Sequence, residues 1–169
     1  YFELFLLELT TGLRQGELLA LQWDDLNLET GELKITKQVY RTKEDGLLIS
    51  QPKTKSSIRT VSLPPPLLAI LKEYKEGVNS RWMFPSPVKE GSPLDPAHIR
   101  TRLHLILEHA QCKQIRFHDL RHTFATIALG NGMDVKTLSA MLGHVSAATT
   151  LDIYTHITNP MRSEAAAKI

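Results

Sequence analysis

The stretch LNLETGELKITKQVY, residues 26–40, is where a chain otherwise patterned for helices changes period. Thr30-Gly31 reads as a turn, and Leu33, Ile35 and later Val39 alternate behind it as the inward side of a strand does. Two more short apolar runs follow, DGLLIS (45–50) and IRTVSL (58–63), joined by the polar turn QPKTKSS (51–57). These segments predict a small three-stranded antiparallel sheet.

On both sides of this sheet the signals are helical. Residues 2–12 and RQGELLAL (14–21) predict two helices, the second with Leu18, Leu19 and Leu21 as its apolar residues. Prolines open and Gly77 closes a helix over 65–76, and Asp95-Pro96 supplies an N-cap and first position for AHIRTRLHLILEHAQ (97–111). A helix from Phe117 to about Leu129 ends at GNG (130–132), and Asp134 caps VKTLSAML (135–142), which Gly143 closes. AATTLDIYTH (147–156) and PMRSEAAAKI (160–169) form a last pair, split by Asn159-Pro160. The expected class is α+β, mostly helical with one small sheet, in a single domain spanning 1–169.

With 169 residues, 42% of them hydrophobic, the chain can bury a core. The net charge of +2 says little about partners, but its distribution says more. From His98 to His122 stand five Lys/Arg (Arg100, Arg102, Lys113, Arg116, Arg121) and five of the seven histidines, against only Glu108 and Asp119. That segment is read either as a basic patch or as a solvated helix face. Cys112, the single cysteine, cannot form an intrachain disulfide, which fits a reducing cytosol, and it is expected to be a packing residue. No apolar run approaches the roughly 20 residues needed to span a bilayer, so no membrane partner is expected. The opening YFELFLLELTTGL begins inside a helical pattern with no cap, and the chain is therefore expected to be a fragment lacking an N-terminal part.

The densest chemistry lies in FHDLRHTFAT, residues 117–126. On a helix, Leu120, Phe124 and Ile127 fall on one side, while His118, Arg121 and His122 fall on the other at i, i+3 and i+4. A zinc site would use His118 and His122 as an H-x-x-x-H pair, but the general-base glutamate of such hydrolases is replaced here by Asp119. The fixed charge of Arg121 would also repel a dication. A phosphodiester accounts for the same residues better, since a guanidinium offers phosphate oxygens a rigid fork of donors and imidazole can donate or move protons.

Five segments in this order and spacing, TTGLRQGELLAL (10–21), PKTKSSIRTVSL (52–63), HDLRHTFAT (118–126), MLGH (141–144) and TTLDIYTH (149–156), resemble the motifs of the tyrosine recombinase, or phage integrase, family. The likeness covers nearly the whole chain and is nearest to integrases of phages and conjugative transposons. It implies the family's catalytic domain, with the N-terminal DNA-binding domains absent.

By that resemblance Arg14 is the first catalytic arginine, and Glu17, three residues on, can hold its guanidinium. Lys53 is favoured over Lys55 as the lysine that protonates the leaving 5′-oxygen. His118 and Arg121 match the H-x-x-R pair, His144 matches a phosphate-contacting position, and His122 supports by a hydrogen bond. Tyr154 matches the nucleophile, a phenol that needs a proton acceptor and nearby cations because its ordinary pKa is near 10. Lys55, Arg59, Arg100 and Arg102 are the expected DNA contacts.

The implied reaction is attack of Tyr154 on a DNA phosphodiester, giving a 3′-phosphotyrosyl bond and a free 5′-hydroxyl, with rejoining by a second 5′-hydroxyl. Bond energy stays in the covalent link and side chains supply the positive charge, so neither ATP, another cofactor nor a metal is required. The resemblance implies double-stranded DNA as partner, a homotetramer on two duplexes for the full-length protein, and a cytoplasmic protein encoded by a bacterium or phage, and it allows an excision factor. The Ala-rich end NPMRSEAAAKI (159–169) is read either as docking on a neighbouring protomer or as packing on its own domain. Two other classes remain open: a type IB topoisomerase, which rejoins the same strand, and a DNA-binding module that does not cleave.

Overall fold

A computed structural model describes residues 1–52 and 57–143. Helix α1 (Phe2–Thr11) stops at Gly12, whose φ of 61° is left-handed and whose N–H closes on the Glu8 carbonyl at 2.7 Å. A Cβ on Gly12 would lie 2.4 Å from Phe124 Cδ1, so glycine is required both by the turn and by the ring packed over it. Leu13 is fully buried and carries the chain into the short α2 (Gln15–Leu19).

The strand region differs from the expected three-stranded sheet. Among the described residues there are two separate antiparallel pairs, β1 (Glu32–Ile35) with β4 (Arg59–Ser62), and β2 (Gln38–Thr42) with β3 (Gly46–Ser50). The run read as one strand through Val39 breaks at Thr36-Lys37. There Lys37 Nζ is held by Asp25 Oδ1 at 2.9 Å and Gln22 Oε1 at 3.1 Å, which turns the chain out of register with β1. The β1–β4 pair keeps the period of two, with Leu33, Ile35 and Val61 facing inward, whereas in the β2–β3 pair Val39 alone is buried.

Helix α3 (Pro65–Glu76) has proline at its start and Gly77 at its end, as the sequence predicts. In α4 (Pro96–His109) the Asp95 side chain accepts from Ala97 N–H at 2.7 Å. Asp119 caps α5 (Phe117–Gly130) by accepting from the Arg116 backbone N–H at 2.8 Å. In α6 (Val135–Leu142) Asp134 accepts from Thr137 N–H at 2.9 Å, and Gly143 ends the helix at φ 63°.

One apolar core joins Leu4, Leu7, Leu18, Leu33, Ile35 and Leu71 to Ile99, Phe117 and Leu120. A second, of Phe124, Ala125, Leu129, Leu138 and Leu142, lies between α5 and α6. Helix α5 thus reaches from one core to the other, and this decides which of its residues are inward. Ile127, expected in the core, is 55% exposed, whereas Arg121, expected outside, is 3% exposed, because the inward stripe runs Phe117, Leu120, Arg121, Phe124. Cys112, expected to pack, is exposed in the turn beyond α4. No described helix is long and apolar enough to cross a membrane.

Candidate active site

Arg14 stands where α1 hands over to α2. It is the N-cap of α2, in extended backbone, and Glu17 at the third helical position reaches back to it. Glu17 Oε2 accepts from the Arg14 backbone N–H at 2.9 Å and Glu17 Oε1 accepts from Arg14 Nη1 at 2.9 Å. The expected hold of Glu17 on Arg14 is therefore present as a helix cap and an ion pair at once.

Glu17 is only 1% exposed and serves a second guanidinium. Arg59 donates from Nη1 to Oε1 at 3.0 Å and from Nη2 to Oε2 at 2.9 Å, a bidentate fork. Burial pushes the Glu17 carboxyl up, but hydrogen bonding and charge from Arg59, followed by Arg14, outweigh it and hold the group below its ordinary value. Arg59 was expected at a DNA surface. Instead its side chain is 7% exposed and its donors are turned into the protein, because position 59 is in phase with inward-facing Val61 and Leu63.

The end of α6 completes the cluster. A helix leaves its last carbonyls without intrahelical partners and with a partial negative charge. Here three consecutive carbonyls each accept from a different arginine: Met141 from Arg59 Nε at 2.5 Å, Leu142 from Arg121 Nη2 at 2.7 Å, and Gly143 from Arg14 Nη2 at 2.9 Å. Arg121 also donates from Nη1 to the Gly12 carbonyl at 2.6 Å, which ties it to the turn preceding Arg14. Burial, then the charge of Arg14, lowers the Arg121 pKa to about 10, which leaves it protonated at neutral pH.

Glu8 is a residue that the sequence reading missed. It is 0% exposed, and among the described residues neither carboxyl oxygen has a hydrogen-bond partner. Burial holds it well above the usual carboxylate range, against the opposing charge of Arg121 and with help from Glu17. The available signal was an acid at i+4 from Leu4 on the inward stripe of α1. With Glu8 biased toward its neutral form, Arg14, Arg59 and Arg121 share one ionised carboxylate among the described residues, and this part of the cluster carries excess positive charge.

His118 and His122 are exposed on α5, beside rather than around Arg121. Their rings meet edge to face at 4.8 Å. Burial, followed by the His122 and Arg121 charges, lowers the His118 pKa, so its imidazole favours the neutral, proton-accepting form. Arg100 and Arg102 are exposed on α4. Arg100 Nη1 donates to Gln15 Oε1 at 3.1 Å, next to Arg14 in sequence, and Arg102 lies over the Tyr1 ring at 5.5 Å. Lys53, Lys55, His144 and Tyr154 lie outside the described residues.

Residues 3–160 match the model of the phage integrase family. The chain belongs to that family. This integrase-family chain is 37% identical to a XerC-like tyrosine recombinase of Caldanaerobacter subterraneus subsp. tengcongensis, over 96% of the chain and 47% of the relative. It is 33% identical to the ICEBs1 integrase of Bacillus subtilis, over 94% of the chain and 45% of the relative. Among solved structures, the Tn1549 transposon integrase in complex with transposon right-end DNA superposes with a TM-score of 0.81 at 21% identity, covering 98% of this chain and 58% of that one. That likeness shows the tyrosine recombinase catalytic fold. The chain spans about half the length of the curated relatives it matches.

Proposed function

We propose that this integrase-family chain is the catalytic domain of a site-specific DNA recombinase, one that cleaves and rejoins strands in integration and excision of a mobile element. The observation that carries the reading is the arginine cluster: Arg14 and Arg59 paired to Glu17, the one ionised carboxylate among the described residues there, and Arg121 held close by, with the excess positive charge left for an anion. Arg14, whose side chain is 36% exposed, is the guanidinium open to a phosphate, and Arg121 adds its charge from beneath. Fixed cations of this kind stabilise the charge that builds on nonbridging oxygens during phosphoryl transfer.

In the proposed reaction the Tyr154 phenol oxygen attacks phosphorus and the bond to the 5′-oxygen breaks. The phenol proton passes to a base, for which neutral His118 is suited, and Lys53 donates a proton to the departing oxygen. His144 hydrogen-bonds a phosphate oxygen. A second 5′-hydroxyl then attacks the phosphotyrosine, which restores the phenol and the diester. The full-length protein acts as a tetramer on two duplexes.

The test uses full-length protein and nicked DNA from the ends of its element, in EDTA, with Tyr154→Phe as control. A denaturation-resistant protein–DNA adduct lost in the variant supports the reading. DNA binding without any adduct overturns it in favour of a non-cleaving module, and an adduct that persists in the variant moves the nucleophile to another tyrosine.

A further inference from the structure

We propose that Arg59 is a positioning residue for strand cleavage, one that locks the Arg14–Glu17 pair to the end of α6 and does not itself touch DNA. The inference rests on the cleavage reading above. Among the described residues Arg59 makes four hydrogen bonds: Nε to Met141 O, Nη1 to Glu17 Oε1 and Ser57 O, and Nη2 to Glu17 Oε2. With its side chain 7% exposed, the guanidinium is a buried joint between β4, α2 and α6.

Two parts of the proposed site meet at this joint. Glu17 orients Arg14, and Arg59 fixes both oxygens of Glu17. The last turn of α6 is followed in sequence by His144, with Tyr154 ten residues further on, and Arg59 holds that turn by the Met141 carbonyl. The contact is close: a Cβ on Gly143 would sit 2.9 Å from Arg59 Nη1 and 3.2 Å from its Cζ, so glycine at 143 is what lets the guanidinium lie against the end of the helix. Lysine at 59 would keep the charge but not the planar fork, since one ammonium cannot bridge both carboxylate oxygens and a carbonyl on another element in the same arrangement.

The decisive comparison is Arg59→Lys against wild type in full-length protein on the nicked substrate. Adduct formation is timed at saturating DNA, and affinity is measured separately in the Tyr154→Phe background. The expected result is a folded variant whose affinity changes by less than about threefold while its cleavage rate falls by about tenfold to a hundredfold, the scale of a small misplacement of reacting groups. Weakened affinity with an unchanged rate at saturation overturns the proposal and makes Arg59 a DNA contact. Wild-type rate and affinity together also overturn it, leaving Arg59 as packing.

A wild-type protein that binds DNA without forming an adduct removes the cleavage reading and this role with it. Should Arg59→Lys fail to fold, hydrogen exchange of the Arg59 Nε–H by NMR in Tyr154→Phe protein gives the answer. Slow exchange with and without DNA supports a buried joint, whereas protection lost on adding DNA, or a coupling to phosphorus, overturns it.

Discussion

The imidazoles of His118 and His122 meet nearly perpendicular, at 89° with centroids 4.8 Å apart, so a charge on His122 acts on His118. Burial is the first cause of the lowered His118 pKa and the His122 charge the second. His122→Ala is therefore expected to raise the His118 pKa part of the way toward 6.5, leaving the effects of burial and of Arg121. An NMR titration of the ring protons checks this, and an unmoved His118 midpoint would remove His122 as a cause. The stability consequence has a definite sign. A base whose folded pKa lies below its unfolded value gives stability present above about 6.5 and lost as pH falls through the folded value. Replacing His118 with Gln should flatten that acid limb in thermal melts between pH 7.5 and pH 5.

Glu8 gives a pH dependence of the opposite sign. Its folded pKa is raised above the ordinary value of 4.5, so its contribution is fully present below that pH and is lost as pH rises through the folded value. An apolar replacement of similar length, Glu8→Met, removes the sealed, unpartnered carboxyl. It should raise stability by about 1–3 kcal/mol, the cost of a buried polar group left without a partner. The gain should be larger at pH 8 than at pH 4.5 in urea denaturation. Equal gains at both pH values would mean that Glu8 is not held in its neutral form.

Two glycines separate backbone strain from contact with Arg59. Gly132 and Gly143 both have positive φ, 88° and 63°, but a Cβ on Gly132 would meet nothing within 4 Å whereas one on Gly143 would press on the Arg59 guanidinium. Gly132→Ala should then cost about 1–2 kcal/mol, the strain of left-handed backbone. Gly143→Ala should cost that and more, and in full-length protein it should also slow adduct formation at saturating DNA. Equal losses of stability with an unchanged cleavage rate would show that the Arg59 contact carries no weight.

Much of this fold is local and so was legible in the chain. The caps at Asp95 and Asp134, the stops at Gly77 and Gly143 and the prolines opening α3 each act through neighbours a few residues away, and the helices begin and end where these residues predict. The strand pairing was less legible, because β1 pairs with β4 across an intervening hairpin and the break at Lys37 depends on Asp25 and Gln22. Within the site, the Arg14–Glu17 hold is an i, i+3 relationship that sequence can show. The burial of Arg121 and Arg59 is not, since a guanidinium goes inward only where other elements offer it acceptors. For Arg59 a signal existed in its phase with Val61 and Leu63.

The contrast between exposed and buried arginines gives a last prediction, about salt. Arg100 and Arg102 are exposed on α4, Arg100 linked through Gln15 to the helix that Arg14 caps and Arg102 lying over Tyr1, and both are proposed as DNA-backbone contacts. Each phosphate a residue neutralises adds about 0.9 to the slope of log affinity against log salt, through released counterions. Arg102→Ala should therefore weaken binding by a similar factor on every DNA sequence and lower the slope by about one. Arg100→Ala should do the same, and if Gln15 also orients α4 against α2 it should slow cleavage at saturation as well. Arg59→Lys should leave the slope unchanged. Slopes determined for the three variants between 50 mM and 200 mM salt, in the Tyr154→Phe background, test the division. A slope that falls for Arg59→Lys but not for Arg100→Ala or Arg102→Ala would reverse it, placing the DNA backbone against β4 and leaving the exposed arginines of α4 in solvent.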